Sequence, residues 1–518
     1  MLLSGKSVTF VGDEAVSLIC SFIVLWKMMN KGYMSFPFRK LVIVLMCCMA
    51  MQMSGQDGLR PRGDVNCDWD VNIADVNVLV DAVTRGVKYH SFYTYALDLN
   101  DDKEINIADV NMMIDGILRG QLAPMPCYSG TLPVLFINTA GHRDIVSKEE
   151  YLQAQWWLDP MGQDVEAFGS KSNPLSMLIK GHGNYTWDYC DKKPFRLKLD
   201  DKCGLMGLPA SRHWVIKANA YNWKGNIEDP LPFEMGRRMG MSWNPHIKPI
   251  EVVMNGEYIG LYFLYEKIRV EKHRVDIQEQ RDGETDPDKV TGGWLLEINN
   301  YNEPDNIVFT EGNGKPFYVM PHSPEALSGE QKSYITQLLQ EADRAIYQVD
   351  KQSLDWEHYI DIDSLAIYYL VQEVADNLEA FSGSCYMHKD RGQGSKLIFG
   401  PLWDCDHTFW RCYLDTGYEK FIYEDVPSNW YSRWIGEIAK YPRFQERVRH
   451  YWHQFYDEVF PDMDRFMEDF AAEIEIAGNC DFKRWPQYNS KGITARVRAY
   501  AIPSFHRKVD WLQSQWGE

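Results

Sequence analysis

The feature that most constrains this chain is a duplication. DVNCDWDVNIADVNVLVDAVTRG at 64–86 returns as DLNDDKEINIADVNMMIDGILRG at 98–120, offset by 34 residues throughout. A repeat of this length specifies a supersecondary unit used twice. In each copy oxygen-bearing side chains stand at loop positions 1, 3 and 5, with a carboxylate at position 12. These are Asp64, Asn66, Asp68 and Asp75, then Asp98, Asn100, Asp102 and Asp109. Such a loop surrounds a hard cation with oxygen ligands. Position 7 (Asp70, Glu104) donates its backbone carbonyl, and Asn72 and Asn106 occupy position 9. Each loop runs into an amphipathic helix, through Val76, Leu79, Val80 and Val83 in the first copy and Val110, Met113, Ile114 and Ile117 in the second. Gly86 and Gly120 are placed to cap those helices. The expectation is a Ca²⁺-binding module over 57–122.

Loop chemistry of this kind is EF-hand-like. Asp in place of Glu at position 12, and the lack of an entering helix before the first loop, make the module resemble dockerin type I. Trp69 and Lys103 depart from it where the sharp turn favours Gly, and VKYHSFYTYA (87–96) lengthens the link between the copies. The resemblance implies a cohesin-like partner, or an intramolecular one.

Upstream, Arg39 and Lys40 precede an apolar run from Leu41 to Met53, followed by Ser54 and Gly55. That is the order of a secretory signal, so residues 1–55 read as a targeting segment with Met34 a candidate true start. A second apolar stretch, Ala15 to Trp26, leaves an N-terminal anchor as the alternative. Cys47 and Cys48 invite a lipoprotein reading, which Met46 disfavours. The expected location is secreted, cell-surface or periplasmic. No uncharged apolar run of about 18 residues follows position 60, so the main body is expected to span no membrane. The net charge of −19 excludes an ordinary nucleic-acid binder. Eight cysteines lie beyond residue 54, an even count that permits disulfides in an exported chain. Cys190 with Cys203 is a candidate pair, and free buried thiols are the alternative.

A Pro-rich linker at 123–132 leads to the large domain, 133–518. VLFINT (134–139) opens it as a strand. Phe195, Leu197 and Leu199 alternate with Arg196 and Lys198 as a strand requires. The preceding turn with Gly181, Gly183 and Asn184, beside a strand-borne lysine, suits phosphate handling. It equally suits a plain hairpin. Asn255-Gly256 between apolar strands predicts a type I′ hairpin, whose second strand ends at Glu266. GGWLLEINNY (292–301) adds a strand, and 361–381 reads as a buried helix ending near Asp376-Asn377. Past another strand, the i, i+2 spacing of Asp404 and Asp406 lets both carboxylates reach one divalent ion. His450 and His453 have no convincing carboxylate partner, and residues 437–460 read as a solvated helix face.

In order, Gly181-His-Gly-Asn-Tyr-Thr, Lys193-Pro-Phe-Arg-Leu-Lys198, Asn255-Gly-Glu-Tyr-Ile-Gly-Leu-Tyr-Phe-Leu-Tyr-Glu266, Asn377-Leu-Glu379 and Pro401-Leu-Trp-Asp-Cys-Asp-His-Thr-Phe409 resemble the CotH family of secreted, atypical protein kinases over about 131–415. The resemblance implies an α+β fold, a two-lobed atypical protein-kinase-like domain preceded by the small all-α EF-hand-like dockerin module. It also implies Mg²⁺ and ATP, and Ser/Thr acceptors in extracytoplasmic proteins. Lys198 would hold nucleotide phosphates. Glu266 would lie where the sheet-rich and helical lobes join. Asp404, with Asp406, would hold Mg²⁺, and Asn377 would assist. The catalytic carboxylate would be Asp376 or Glu379. Three positions depart from the pattern: His182 replaces an Arg, Glu379 an Asp, and Trp410 rather than Gly follows Phe409. A catalytically inactive assembly or adhesion protein using the calcium module as connector is the alternative. A carbohydrate-active enzyme is a third reading, since tryptophans suit sugar stacking, but the W-D-x-D context favours metal.

Overall fold

The computed structural model describes residues 59–61, 63, 71–85, 98–100, 104–119, 124–126, 128–218, 225–392, 394–414, 416–424, 433–488 and 492–517. The chain divides into two compact units, 1–59 and 60–518. Apart from Leu59, the described residues belong to the second. The targeting segment, and with it the Met34 and lipidation readings, therefore lies outside the described residues. So do Gly86, Gly120 and the 87–96 insert.

The repeat forms two helices of equal length, α1 (Ile73–Arg85) and α2 (Ile107–Arg119). Val76, Leu79, Val110 and Met113 join Leu99 in one small buried cluster, with Val83 and Ile117 at its edge. Val80 and Ile114, which share the apolar spacing, are exposed. The cluster fits a narrow stripe on each helix, so the flanking positions stay in solvent.

The large domain is α+β. Its first half is a closed barrel of seven strands: β1 (Val134–Thr139), β2 (Leu152–Asp159), β3 (Leu175–Gly181), β4 (Phe195–Cys203), β5 (Ser211–Lys217), β6 (Ile247–Met254) and β7 (Glu257–Glu266). The order around the barrel is β1-β2-β3-β4-β5-β7-β6. Neighbours are antiparallel except at the closure, where β1 runs parallel to β6 with Val134 opposite Glu251. Period-2 alternation sends Ala154, Trp156, Met177, Ile179, Leu197, Leu199, Trp214 and Ile216 into the barrel interior. Asn255 (φ 54) and Gly256 (φ 86) are both left-handed, as a type I′ turn requires. Strand β7 is apolar on both faces because both are covered. Tyr262 and Leu264 fill the barrel, while Leu261, Phe263 and Tyr265 pack into the helical core.

The second half holds a five-stranded antiparallel sheet in which β8 (Trp294–Asn299) lies between β10 (Phe317–Ser323) and β11 (Cys385–Lys389). The short strands β9 (Ile307–Phe309) and β12 (Ile398–Phe399) form its edges. Helix α3 (Tyr185–Tyr189) follows the Gly turn, and α4 (Pro230–Arg238) follows β5. Helix α5 (Gly329–Ile346) begins with a capping box of Ser328 and Gln331. Helix α6 (Ile362–Val374) is capped by Asp361 and buried on nearly all sides, Gln372 and Glu373 included, so it runs through the core. Helix α7 (Trp410–Leu414) leads to α8 (Pro442–Gln454), which carries exposed His450 and His453, then α9 (Met463–Arg484) and α10 (Ile502–Trp516).

The end of α9 is latched to the barrel. Asp481 Oδ1 accepts from buried Lys192 Nζ at 2.7 Å and from Leu261 N at 2.9 Å. Gly260 (φ 118) makes this approach possible, since a Cβ there would stand 2.2 Å from Asp481 Oδ1. The linker is not wholly free of the barrel either. Ser129 and Leu132 are buried, and Ser129 donates from N and Oγ to Glu251.

Cys190, Cys203, Cys385, Cys405, Cys412 and Cys480 are buried thiols, and Cys190 is not bridged to Cys203. They serve as small apolar side chains. Cys67 and Cys127 lie outside the described residues. No described helix is long and apolar enough to cross a membrane.

Candidate functional site

Strand β5 reads Ser-Arg-His-Trp-Val-Ile-Lys. Trp214 and Ile216 point inward, and the strand ends at Lys217. Asp229 sits just before Pro230, the first residue of α4. Lys217 Nζ donates to Asp229 Oδ2 at 2.7 Å and to Asp404 Oδ1 at 2.8 Å. The rings of Tyr265 and Trp403 lie 5.3 and 5.7 Å from the same ammonium. Burial opposes the charge, but Asp229 and Asp404 hold Lys217 protonated well above the usual lysine range.

The segment carrying Asp404 has no regular structure and is pinned by buried bonds. Leu402 N donates to Asn244 Oδ1 at 2.9 Å, Cys405 N to Asp229 Oδ1 at 2.6 Å, and Thr408 Oγ1 to Glu228 O at 2.9 Å. With Leu402, Trp403 and Cys405 buried, Asp404 (φ 59) and Asp406 are left exposed. Lys217 pulls the Asp404 carboxyl below its ordinary range. Enclosure by the chain, then the charges of Asp404, Asp229 and Glu379, push Asp406 well above it. Glu379, Asp406 and His407 each offer one donor atom, all within 4.8 Å of one another.

Around this cluster the barrel presents cations. His182, half-buried and facing Lys267, Lys217 and Arg196, is pushed down to about 3, by desolvation first and then by those cations, and stays neutral near pH 7. Burial, then Arg196, lowers Lys267 to about 8. Arg196 Nε is buried with no hydrogen-bond partner.

The residues singled out by sequence divide clearly. Asp404, Asp406 and Glu379 come together. Lys198 does not join them. It is exposed on the outer face of β4, opposite Leu178 and His213. The lysine beside Asp404 is Lys217. Asp376 is fully buried at φ 53, held by Arg411 through Nε at 2.9 Å and Nη2, with Lys508 Nζ 3.5 Å away. Asn377 is also buried. Its amide donates to Gln372 Oε1 at 3.0 Å and accepts from Glu379 N at 3.3 Å, so it braces Glu379. Glu266 ends β7, where the chain leaves the barrel. Its Oε2 accepts from His246 N at 2.9 Å and lies 2.8 Å from His246 Nδ1, while Oε1 is buried without a partner.

Sequence reasoning missed Lys217, Asp229, Arg196, Lys267 and His407 as site residues. Lys217 and Asp229 had weak signals: a lysine closing an alternating run, and an Asp before a helix-starting Pro.

In the repeat, Asn72 Oδ1 accepts from Ala74 N at 2.8 Å and Asp75 Oδ2 accepts from Asn72 N at 3.0 Å. Asn106 with Ala108, and Asp109 with Asn106, repeat this at 2.8 and 2.9 Å. Asp109 Oδ1 also accepts from Leu99 N at 2.7 Å, which folds the start of the loop onto the helix. Asp98 is buried, and Asn100 and Glu104 stand nearer the surface. Asp64, Asn66, Asp68, Asp70 and Asp102 lie outside the described residues.

A family model described as CotH kinase protein matches residues 179–515. The match takes in the C-terminal helices, beyond the 131–415 span over which the motifs run. No curated protein matches the chain.

Proposed function

This chain belongs to the CotH kinase family, and from that premise we propose that it transfers the γ-phosphoryl group of ATP, with a divalent cation, to Ser or Thr hydroxyls of extracytoplasmic proteins. The observation that carries this reading is the bridge of Lys217 between Asp229 and Asp404, beside the donors of Glu379, Asp406 and His407. The residues fit the groups. Oxygen-rich donors suit Mg²⁺, and the unpartnered Arg196 Nε with Lys217 and Lys267 suits a polyanion.

Asp404, Asp406 and Glu379 would hold the cation, which supplies charge neutralisation between phosphate oxygens. Asp229 keeps Lys217 oriented and charged. Lys217, Arg196 and Lys267 would bind phosphate oxygens where negative charge develops. Neutral His182 leaves that work to these three cations. Asn377 holds the Glu379 backbone. Asp376 braces the fold through Arg411 and Lys508. The N-terminal part would direct export, and the repeat would form a Ca²⁺-loaded dockerin-like module that engages a cohesin-like or intramolecular partner.

The test is ATP binding by the full chain with and without Mg²⁺, followed by phosphate transfer to added protein acceptors. Binding that requires Mg²⁺ and is lost in Asp404→Ala is expected. A folded protein that binds no nucleotide overturns the reading and favours the inactive assembly alternative.

A further inference from the structure

Asp404-Cys405-Asp406-His407 crosses the site with Cys405 turned into the core, leaving three donor side chains on the open side. His407 Nε2 is 3.8 Å from Glu379 Oε1, and with Asp406 these donors lie within 4.8 Å of one another. Donor atoms about 2.1 Å from one ion are at most about 4.2 Å apart, so a shift of well under about 1 Å brings all three onto a single cation. The His407 ring is stacked on Trp410, with centroids 6.0 Å apart and planes 24° apart. Among the described residues, no hydrogen bond to protein occupies its ring nitrogens. Lys217 already neutralises Asp404. The carboxyl oxygens left open therefore belong to Asp406 and Glu379, on the side where the imidazole stands.

We propose that His407 is a nitrogen ligand of the divalent-cation site, and that it shifts the site from Mg²⁺ toward a first-row transition-metal ion. Imidazole nitrogen suits such ions, whereas Mg²⁺ and Ca²⁺ take oxygen donors. The inference rests on the phosphotransfer reading, which needs only that a divalent cation be held. A surface ion pair between His407 and Glu379 is the competing account, and it predicts no metal selectivity.

The experiment is metal binding by the full chain, with Mn²⁺ and Mg²⁺ as probes, in saturating Ca²⁺ to keep the repeat loops filled. Affinities come from calorimetry, and the bound Mn²⁺ is examined by pulsed electron paramagnetic resonance for imidazole nitrogen coupling. Mn²⁺ should bind more tightly than Mg²⁺ and show that coupling. His407→Ala should lose the coupling and weaken Mn²⁺ by at least about tenfold, with Mg²⁺ affinity little changed. His407→Gln, which keeps a polar side chain of similar reach, should do the same, and unchanged melting temperatures would exclude misfolding. Bound Mn²⁺ without nitrogen coupling, or equal losses of Mn²⁺ and Mg²⁺, overturns the inference and leaves phosphotransfer standing. A folded wild-type chain that binds neither metal at this site removes both.

Discussion

The ammonium of Lys217, at the end of a barrel strand, stands 2.8 Å from the carboxylate of Asp404, 187 positions further along the chain. Asp229 holds the other side of the same ammonium at 2.7 Å. Lys217 is thus oriented by a residue that need not move, while Asp404 remains open to solvent.

Lys217→Met should lower phosphoryl transfer by about 10²-fold or more, as removal of a preorganised donor to developing charge does. Lys198→Met, on the exposed outer face of β4, should leave transfer little changed. Parallel steady-state rates on one acceptor decide between them. The opposite ranking would return the phosphate role to Lys198.

Asp376→Asn should act on folding. Asp376 is buried against Arg411, and its neutralisation removes the anion from that buried pair, while Lys508 keeps its closer partner Glu373 at 2.7 Å. A loss of about 3–5 kcal/mol is expected, measured as the urea unfolding free energy. Glu379→Gln should leave unfolding nearly unchanged and weaken cation binding. An Asp376→Asn protein of normal stability but without transfer would make Asp376 the base.

What was legible in the sequence was local. The 134–139 strand, the Asn255-Gly256 turn and the buried helix ending near Asp376 each depend on neighbouring residues and period. The parallel closure of β1 on β6 brings together segments more than a hundred residues apart, and nothing local signals it. The same holds for Lys217. Its strand resembles that of Lys198, and only the fold decides which lysine meets Asp404. Asp376 sits in a helix-end context that suits a catalytic carboxylate, but Arg411 and Lys508 approach it from elsewhere in the chain. Cys190 and Cys203 were close enough in sequence to pair, yet each is absorbed separately by the core.

Nucleotide affinity should fall as pH rises through about 8. Burial, then Arg196, lowers Lys267 to about 8 in the free protein. A bound polyanion favours its charged form, so the contribution is full below that value and fades above it. The change should reach about tenfold between about pH 7 and 9. Lys267→Arg should flatten the profile, because arginine stays charged. Equilibrium dissociation constants for an ATP analogue across this range provide the measurement.

Glu251 gives the fold a pH dependence of its own. It is fully buried where the linker meets the barrel, with Ser129 and Tyr258 donating to it, and burial raises its carboxyl to about 7. The folded-state value lies above the unfolded one. Its stabilising contribution is therefore complete below about pH 4.5 and is lost as pH rises to about 7. The span corresponds to about 3 kcal/mol. Glu251→Gln does not ionise. The difference in unfolding free energy between variant and wild type should move in favour of the variant over that interval, and a constant difference would exclude the linkage.

In the second copy of the repeat, the proposed Ca²⁺ site would give one side chain two roles. Asp109 Oδ2 accepts from Asn106 N and Oδ1 from Leu99 N, so the position-12 carboxylate ties the loop to α2 whether or not its remaining lone pairs meet a cation. Asp109→Ala should then produce two separable losses. One is a capping loss of about 1 kcal/mol, present in chelator. The other is the increment that Ca²⁺ adds by mass action, about 2.7 kcal/mol at a free concentration of 100 times Kd. Asp109→Asn keeps one acceptor oxygen and should retain part of the capping term while losing most of the Ca²⁺ increment. Thermal unfolding followed with and without Ca²⁺ separates the terms. A wild-type protein whose unfolding is indifferent to Ca²⁺, and to which calorimetry shows no Ca²⁺ binding, would leave the duplicated loops with capping as their whole function.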